Sequence, residues 1–140
     1  MPLIIPAIPN PTSGRAETPI AFINAILMGY RKYGIDSANV LALARISRAV
    51  LRNPKTRVTA AQMEIMSSVA MQELDDEALG WFSRKLPWGT YGMLCRASLT
   101  SHDLGVALKR WCRHHRLLTD DIELHFSSSK SVAKIGRAHV

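Results

Sequence analysis

The sequence predicts an α+β fold, mostly helical: five or six packed helices followed by the start of an antiparallel β segment. Three observations carry this. Between Thr18 and Leu118 apolar residues recur at three- and four-residue intervals, the spacing that lines one face of a helix. Helix punctuation recurs in the same span, at Gly34, ahead of Pro54 and in the string Thr59-Ala60-Ala61-Gln62. From Asp121 the period drops to two: Ile122, Leu124 and Phe126 alternate with Glu123 and His125, the mark of a half-buried strand.

At 140 residues the chain is one domain or part of one, large enough to bury a core. A hydrophobic content of 47% with 21% charged residues excludes a disordered tract and fits an ordinary soluble protein. The formal charge of +7 attracts polyanions without identifying a DNA reader. Cys95 and Cys112 offer neither a disulfide framework nor a CxxC pair, so free thiols in the reducing cytoplasm are expected. No stretch approaches membrane-spanning length without a charge or a breaker. The N-terminus, with prolines at 2, 6, 9 and 11, lacks the basic start and unbroken apolar run of a secretory signal. Residues 1–17 are expected to form a flexible, proline-rich arm.

The first helix is expected to start with Thr18 as cap and Pro19 in the first helical position. Ile20, Ile23, Leu27 and Tyr30 share a face, with Ile26 beside them, and Gly34 is the terminator. A second helix follows over 37–44. Ser47–Arg52 makes a further short turn or helix, stopped before Pro54 because a residue preceding proline avoids helical geometry. Thr59 and Gln62 then form a capping box for a helix to Leu74, with Val58 and Met63 as its hydrophobic staple. Met63, Met66 and Met71 widen that helix's apolar surface, which packing explains better than ligand binding.

Asp75, Asp76 and Glu77 are expected to open a short helix to Ser83, where acids suit the positive end of the helix dipole. Leu86–Gly92 reads as a loop. Met93–Leu99 fits a strand or a helix by periodicity and is taken as a helix because its neighbours are helical. Thr100 or Ser101 caps the last long helix, whose stripe is Leu104, Ala107, Leu108, Trp111, Cys112 and Leu118. Residues 127–131 read as a turn, and Val132-Ala133 as the start of a partner strand that never develops. All three tryptophans lie in or beside Asp75–Leu108, and aromatics bury the most area per residue. The core is therefore expected to contain Ile23, Leu27, Met66, Trp81, Leu94, Leu108 and Trp111.

A resemblance adds what physics does not. Leu74-Asp75-Asp76-Glu77-Ala78-Leu79-Gly80 is followed by Leu86-Pro87-Trp88-Gly89-Thr90-Tyr91-Gly92-Met93-Leu94, Leu104-Gly105-Val106-Ala107-Leu108 and Leu117-Leu118-Thr119-Asp120-Asp121. In this order and at these spacings, Pro19–Thr119 resembles the N-terminal effector-binding and dimerisation region of AraC-type transcriptional regulators, of the largely helical "arabinose-binding-like" class. The resemblance implies an unknown small-molecule effector and a homodimer in the intact protein. It also implies DNA contact only through a C-terminal pair of helix-turn-helix motifs that this sequence does not contain. The class name does not identify arabinose as the effector.

Several constellations invite sharper readings. The loop at 88–92 packs aromatics between helices. If it also contacts a ligand, Trp88, Tyr91 and Met93 are the candidates, with Arg84 and Lys85 placed to meet a carboxylate. Lys109, Arg110, Arg113 and Arg116, with His114 and His115, are the best nucleic-acid candidates, but the solvated face of an amphipathic helix explains them better. No second helix-turn-helix half accompanies them. Cys112-Arg113-His114-His115 matches no structural zinc spacing, and three adjacent acids at 75–77 match no calcium loop. No G-x-S-x-G and no supported Cys–His pairing is present, so neither an enzyme, a metal nor a cofactor is expected. The alternative to a sensor is a stand-alone basic helical module that binds DNA or a protein partner.

The last residues carry a separate expectation. Ile135–Val140 is what ATC GGA AGA GCA CAC GTC encodes, a string within the sequencing adapter AGATCGGAAGAGCACACGTCTGA. In that frame the next codon is a stop, and Lys134 as AAG supplies the leading AG. Residues 134–140 are therefore expected to be adapter-derived, leaving 18–133 as a partial sensor domain. Without Lys134 and Arg137, sixteen basic side chains face eleven acidic ones, a net charge of +5.

Overall fold

In a computed structural model, which describes residues 1–129 and 132–139, the chain forms two units, Met1–Trp81 and Phe82–Val140. The first unit holds two short strands and three helices: β1 (Ala16–Pro19), α1 (Ile20–Tyr33), α2 (Ala38–Leu43), a 3-10 turn (Val50–Arg52), β2 (Arg57–Thr59) and α3 (Ala60–Glu73). β1 and β2 pair antiparallel, with Thr18 opposite Val58 and Pro19 opposite Arg57.

That pairing corrects the expected start of α1. Thr18 belongs to β1 and makes no cap; Pro19 stays extended at ψ 140°, and the helix begins one residue later. The amide of Ile20 donates to the Thr56 carbonyl at 3.0 Å, so a neighbouring backbone does what a cap hydroxyl would have done. At the other end the expectation holds. Gly34 adopts φ 66°, and the Ile35 amide reaches back to the Tyr30 carbonyl at 3.0 Å.

The capping box on α3 is present in both directions. Thr59 Oγ1 accepts from the Gln62 amide and Gln62 Oε1 from the Thr59 amide, each at 3.1 Å. The same Gln62 side chain donates to the Ala44 carbonyl at 3.1 Å, which ties the start of α3 to the end of α2. Between the helices lies the core: Ile20, Ile23, Ile26, Leu27 and Tyr30 from α1, Val40 and Leu41 from α2, and Ile65, Met66 and Val69 from α3. Residues 1–17 lie along this unit. Leu3 and Ile8 pack on the core, Pro11 is buried with its carbonyl accepting from the Thr59 hydroxyl, and both peptide groups at Ile4 bond the Gln72 side chain at 2.7 and 2.8 Å.

The helix expected at 75–83 is absent; the chain makes consecutive turns, with positive φ at Asp75, Leu79 and Gly80. Asp76 is the reason. Its carboxylate is fully buried and accepts from the Ala78 amide, the Gly80 amide and the Tyr33 hydroxyl, at 2.9, 2.8 and 2.8 Å. Side-chain bonds to amides two and four residues on hold a turn in place of a helix. Gly29 of α1 lies so close to this turn that a Cβ would collide with the Leu79 carbonyl.

The second unit comprises α4 (Thr90–Leu99), α5 (Leu104–His115), β3 (Ile122–Ser128) and β4 (Ala133–His139). α4 starts three residues earlier than expected, directly after Gly89. Asp103, not Thr100 or Ser101, caps α5, its Oδ1 accepting the Val106 amide at 2.8 Å. The partner strand does develop: β3 and β4 pair antiparallel in continuous register from Ile122 opposite His139 to Ser128 opposite Ala133. Ser127 and Ser128, expected in a turn, are strand; Lys130 and Ser131 of that expected turn lie outside the described residues, as does Val140.

The aromatic stretch is not the centre of the core. Trp81 is 60% exposed and Trp88 37%, while Leu108 and Trp111 are half-buried; Ile23, Leu27, Met66 and Leu94 are buried as expected. The indole nitrogen of Trp81 reaches the Ala25 carbonyl only at 3.5 Å. In the first unit the aliphatic stripes of α1 and α3 fill the interior, and Trp81 lies at its surface.

Candidate functional site

The α4–α5 hairpin gathers most of the residues that the sequence singles out. Thr100–Asp103 joins the two helices, and Asp103 makes the joint electrostatically firm. Its carboxyl is held below its ordinary range, chiefly by the Val106 amide, and it also pairs with His102 at 2.9 Å.

On one side of the hairpin Tyr91 from α4 stacks on Trp111 from α5, ring centres 5.9 Å apart and planes 11° from parallel. Its other ring neighbour is His115, also at 5.9 Å, and the Tyr91 hydroxyl meets His115 Nε2 at 3.2 Å. Trp111 and His115 are four residues apart on α5 and so share a face, which is how one tyrosine touches both. His115 is 2% exposed, and burial pushes its pKa down, so the ring is neutral. Its Nδ1 is buried with no hydrogen-bond partner among the described residues. This corrects the placing of His115 with the basic face. The i, i+4 spacing from Trp111 was the sequence signal that could have found the trio.

Beside Trp111 opens a groove of about 430 Å³, lined on its apolar side by Cys95, Leu99, Leu104, Ala107, Leu108 and Trp111. Leu99 and Leu104 at its edges are 79% and 73% exposed. Three polar residues complete the lining: Ser98, Ser101 and Asp103. Ser98 Oγ is satisfied by the Leu94 carbonyl at 3.2 Å. Ser101 Oγ is buried with no partner among the described residues, an arrangement that costs about 1–3 kcal/mol.

Of the three candidate ligand residues, Tyr91 joins the stack, while Trp88, in the turn before Gly89, and Met93, 54% exposed, present themselves to solvent. Arg84 and Lys85 are exposed. Of the basic residues on α5, Lys109 and Arg113 are exposed and Arg110 is half-buried, its guanidinium donating to Thr100 Oγ1 at 3.3 Å. Arg116, just beyond α5, pairs with Glu123 at 3.5 Å. Cys112 is buried, and burial raises its thiol pKa, which makes it unreactive; Cys95 is exposed. No cluster of three or more metal-ligating side chains occurs among the described residues, and no helix there is long and apolar enough to cross a membrane.

No curated protein and no solved structure matches the chain. A family does: the one described as the arabinose-binding domain of AraC transcription regulator, N-term, matches residues 34–139. That span covers most of the sequence and includes the whole α4–α5 hairpin with its aromatic trio and groove. The chain belongs to the family of N-terminal arabinose-binding domains of AraC transcription regulators.

Proposed function

We propose that the chain is the effector-sensing and dimerising part of an AraC-type transcriptional regulator, and that it controls a separate C-terminal DNA-binding domain. The observation that carries this is the family match over residues 34–139. A sensor of this kind works by differential binding: the effector must favour one state of the dimer or of the DNA-binding domain, since equal affinity for both regulates nothing. The effector is a small molecule, the protein acts as a cytoplasmic homodimer, and no catalysis or cofactor is involved.

Trp88, Tyr91 and Met93 remain the proposed effector contacts, with Tyr91 best supported because it couples α4 to α5 through Trp111 and His115. Trp88→Phe and Tyr91→Phe in the intact regulator are expected to shift the effector concentration for half-maximal response at normal stability. An unchanged response in both, at normal stability, would remove the 88–92 loop from the mechanism. We also assign 134–140 to the adapter and the native sensor sequence to 18–133, on the codon match alone. Independent nucleotide reads through this locus that continue past Ala133 into further strands and helix-turn-helix units would bear this out. A native stop after Val140 with non-adapter codons would refute it.

A further inference from the structure

On that reading of the chain as the dimerising part of a sensor, we propose that two copies join through the outer face of α1, with a twofold axis at Ala25 and Trp81 beside it. The whole face lies within the first unit. Phe22, Ala25 and Met28 follow one another at three-residue steps and form one broad stripe along α1, turned away from the Ile23, Leu27 and Tyr30 that fill the core. Phe22 is 50% exposed and Met28 61%. The Trp81 indole, 60% exposed, reaches the Ala25 carbonyl and so lies against this stripe. Large apolar side chains gathered in water mark a contact surface, and Trp, Phe and Met are types enriched in one.

Trp81 is also held in place. The turn that leads to it enters the left-handed region at Asp75 and Leu79, which residues with a side chain rarely do. The buried Asp76 carboxylate pins that turn, Lys32 Nζ donates to the Gly80 carbonyl at 2.8 Å, and Gly29, lacking a Cβ, lets the turn close on α1. An indole fixed before contact loses little freedom on association, which suits it to anchor an interface.

Charge and symmetry identify the occupant as a second copy. Two chains of net charge +7 repel, so they associate best through a face where both signs occur. Here they do. Arg31 and Lys32 end α1, Glu17 with Arg15 and Arg57 bonded to it precedes α1, and the turn carries Asp75 and Glu77. By contrast, α5 carries Lys109, Arg110 and Arg113 and no acid from Leu104 to His115, so an acidic partner would be drawn there instead. The stripe is also its own complement. Phe22 and Met28 lie three residues either side of Ala25, so antiparallel copies crossing at that small residue set Phe22 against the partner's Met28 twice, an aromatic–sulfur contact.

The test is sedimentation equilibrium of the full chain from about 5 to 500 µM, a range chosen for an interface at the small end of the specific class. Wild type is expected to pass reversibly from monomer to dimer. Met28→Asp and Trp81→Ala should each weaken the dimer at least tenfold, while Leu104→Asp, in the other unit, should leave it unchanged within twofold. Met28 and Leu104 are both largely exposed, so these two variants keep their fold even if Trp81→Ala does not. In a Cys95→Ser background, a short bis-maleimide should join Ala25→Cys into a covalent dimer and should not join Glu64→Cys, exposed on α3. The proposal is overturned by a wild-type chain that stays monomeric, by a dimer that Met28→Asp leaves as tight, or by Glu64→Cys joining as readily as Ala25→Cys. An intact regulator that still dimerises and responds to its effector with Met28→Asp in place sinks this face while leaving the sensor reading standing.

Discussion

His115 shows how one side chain couples packing to pH. Its ring is neutral in the folded protein because burial penalises the imidazolium. Its folded pKa therefore lies below its unfolded value of about 6.5, so the unfolded chain binds the extra proton as pH falls. Stability is fully present above that unfolded value and is lost as pH drops toward the folded one. The urea midpoint should fall between about pH 7 and pH 5, and His115→Gln should flatten that slope. A midpoint with the same pH dependence in the variant would show that another group controls it. Gly29 is the second informative residue. Gly29→Ala puts a methyl into the Leu79 carbonyl, and we expect about 1–3 kcal/mol of lost stability, read by chemical denaturation, although alanine is the better helix former.

Among the elements, α3 was legible and the turn after it was not, for a physical reason. The capping box is closed by residues three apart, so Thr59 and Gln62 announce it on their own. Asp76 is governed by Tyr33, forty-three residues away in sequence, and no local pattern reports that bond. Three acids after a helix therefore read as the start of another helix when one of them is a buried turn anchor. Asp76→Asn keeps the shape but offers one acceptor oxygen in place of two, and should lower stability by about 2–4 kcal/mol, since bonds to a charged acceptor contribute about 1.5–3 kcal/mol each. Calorimetry of the variant measures this; a loss under about 0.5 kcal/mol would mean the turn stands without the carboxylate. The groove was half legible: its apolar residues were all on the predicted α5 stripe or on α4, but the unpartnered Ser101 hydroxyl becomes visible only once both helices are in place. The tryptophans misled because size predicts how much area a residue buries once inside, not whether it goes inside.

At the scale of the whole molecule, family membership was readable from four ordered segments, and a charge of +7 was the sequence's poorest guide. The net charge of +5 on residues 1–133, which lack Lys134 and Arg137, should give them only weak, sequence-independent DNA binding, about micromolar or weaker at physiological salt and falling steeply as salt rises. Filter binding or anisotropy at two salt concentrations checks this, and nanomolar, sequence-selective binding would contradict it. The bonds between Gln72 and Ile4 lead to a consequence in the language of hydrogen exchange. A side-chain amide returns both bonds of a backbone peptide, as a neighbouring strand would, at a chain end where fraying is ordinary. The Ile4 amide should exchange with solvent more slowly than its neighbours in wild type and lose that protection in Gln72→Ala, while amides in the middle of α3 keep theirs. The first residues of the chain would then open and close as a cooperative piece of their own, well below the free energy of global unfolding.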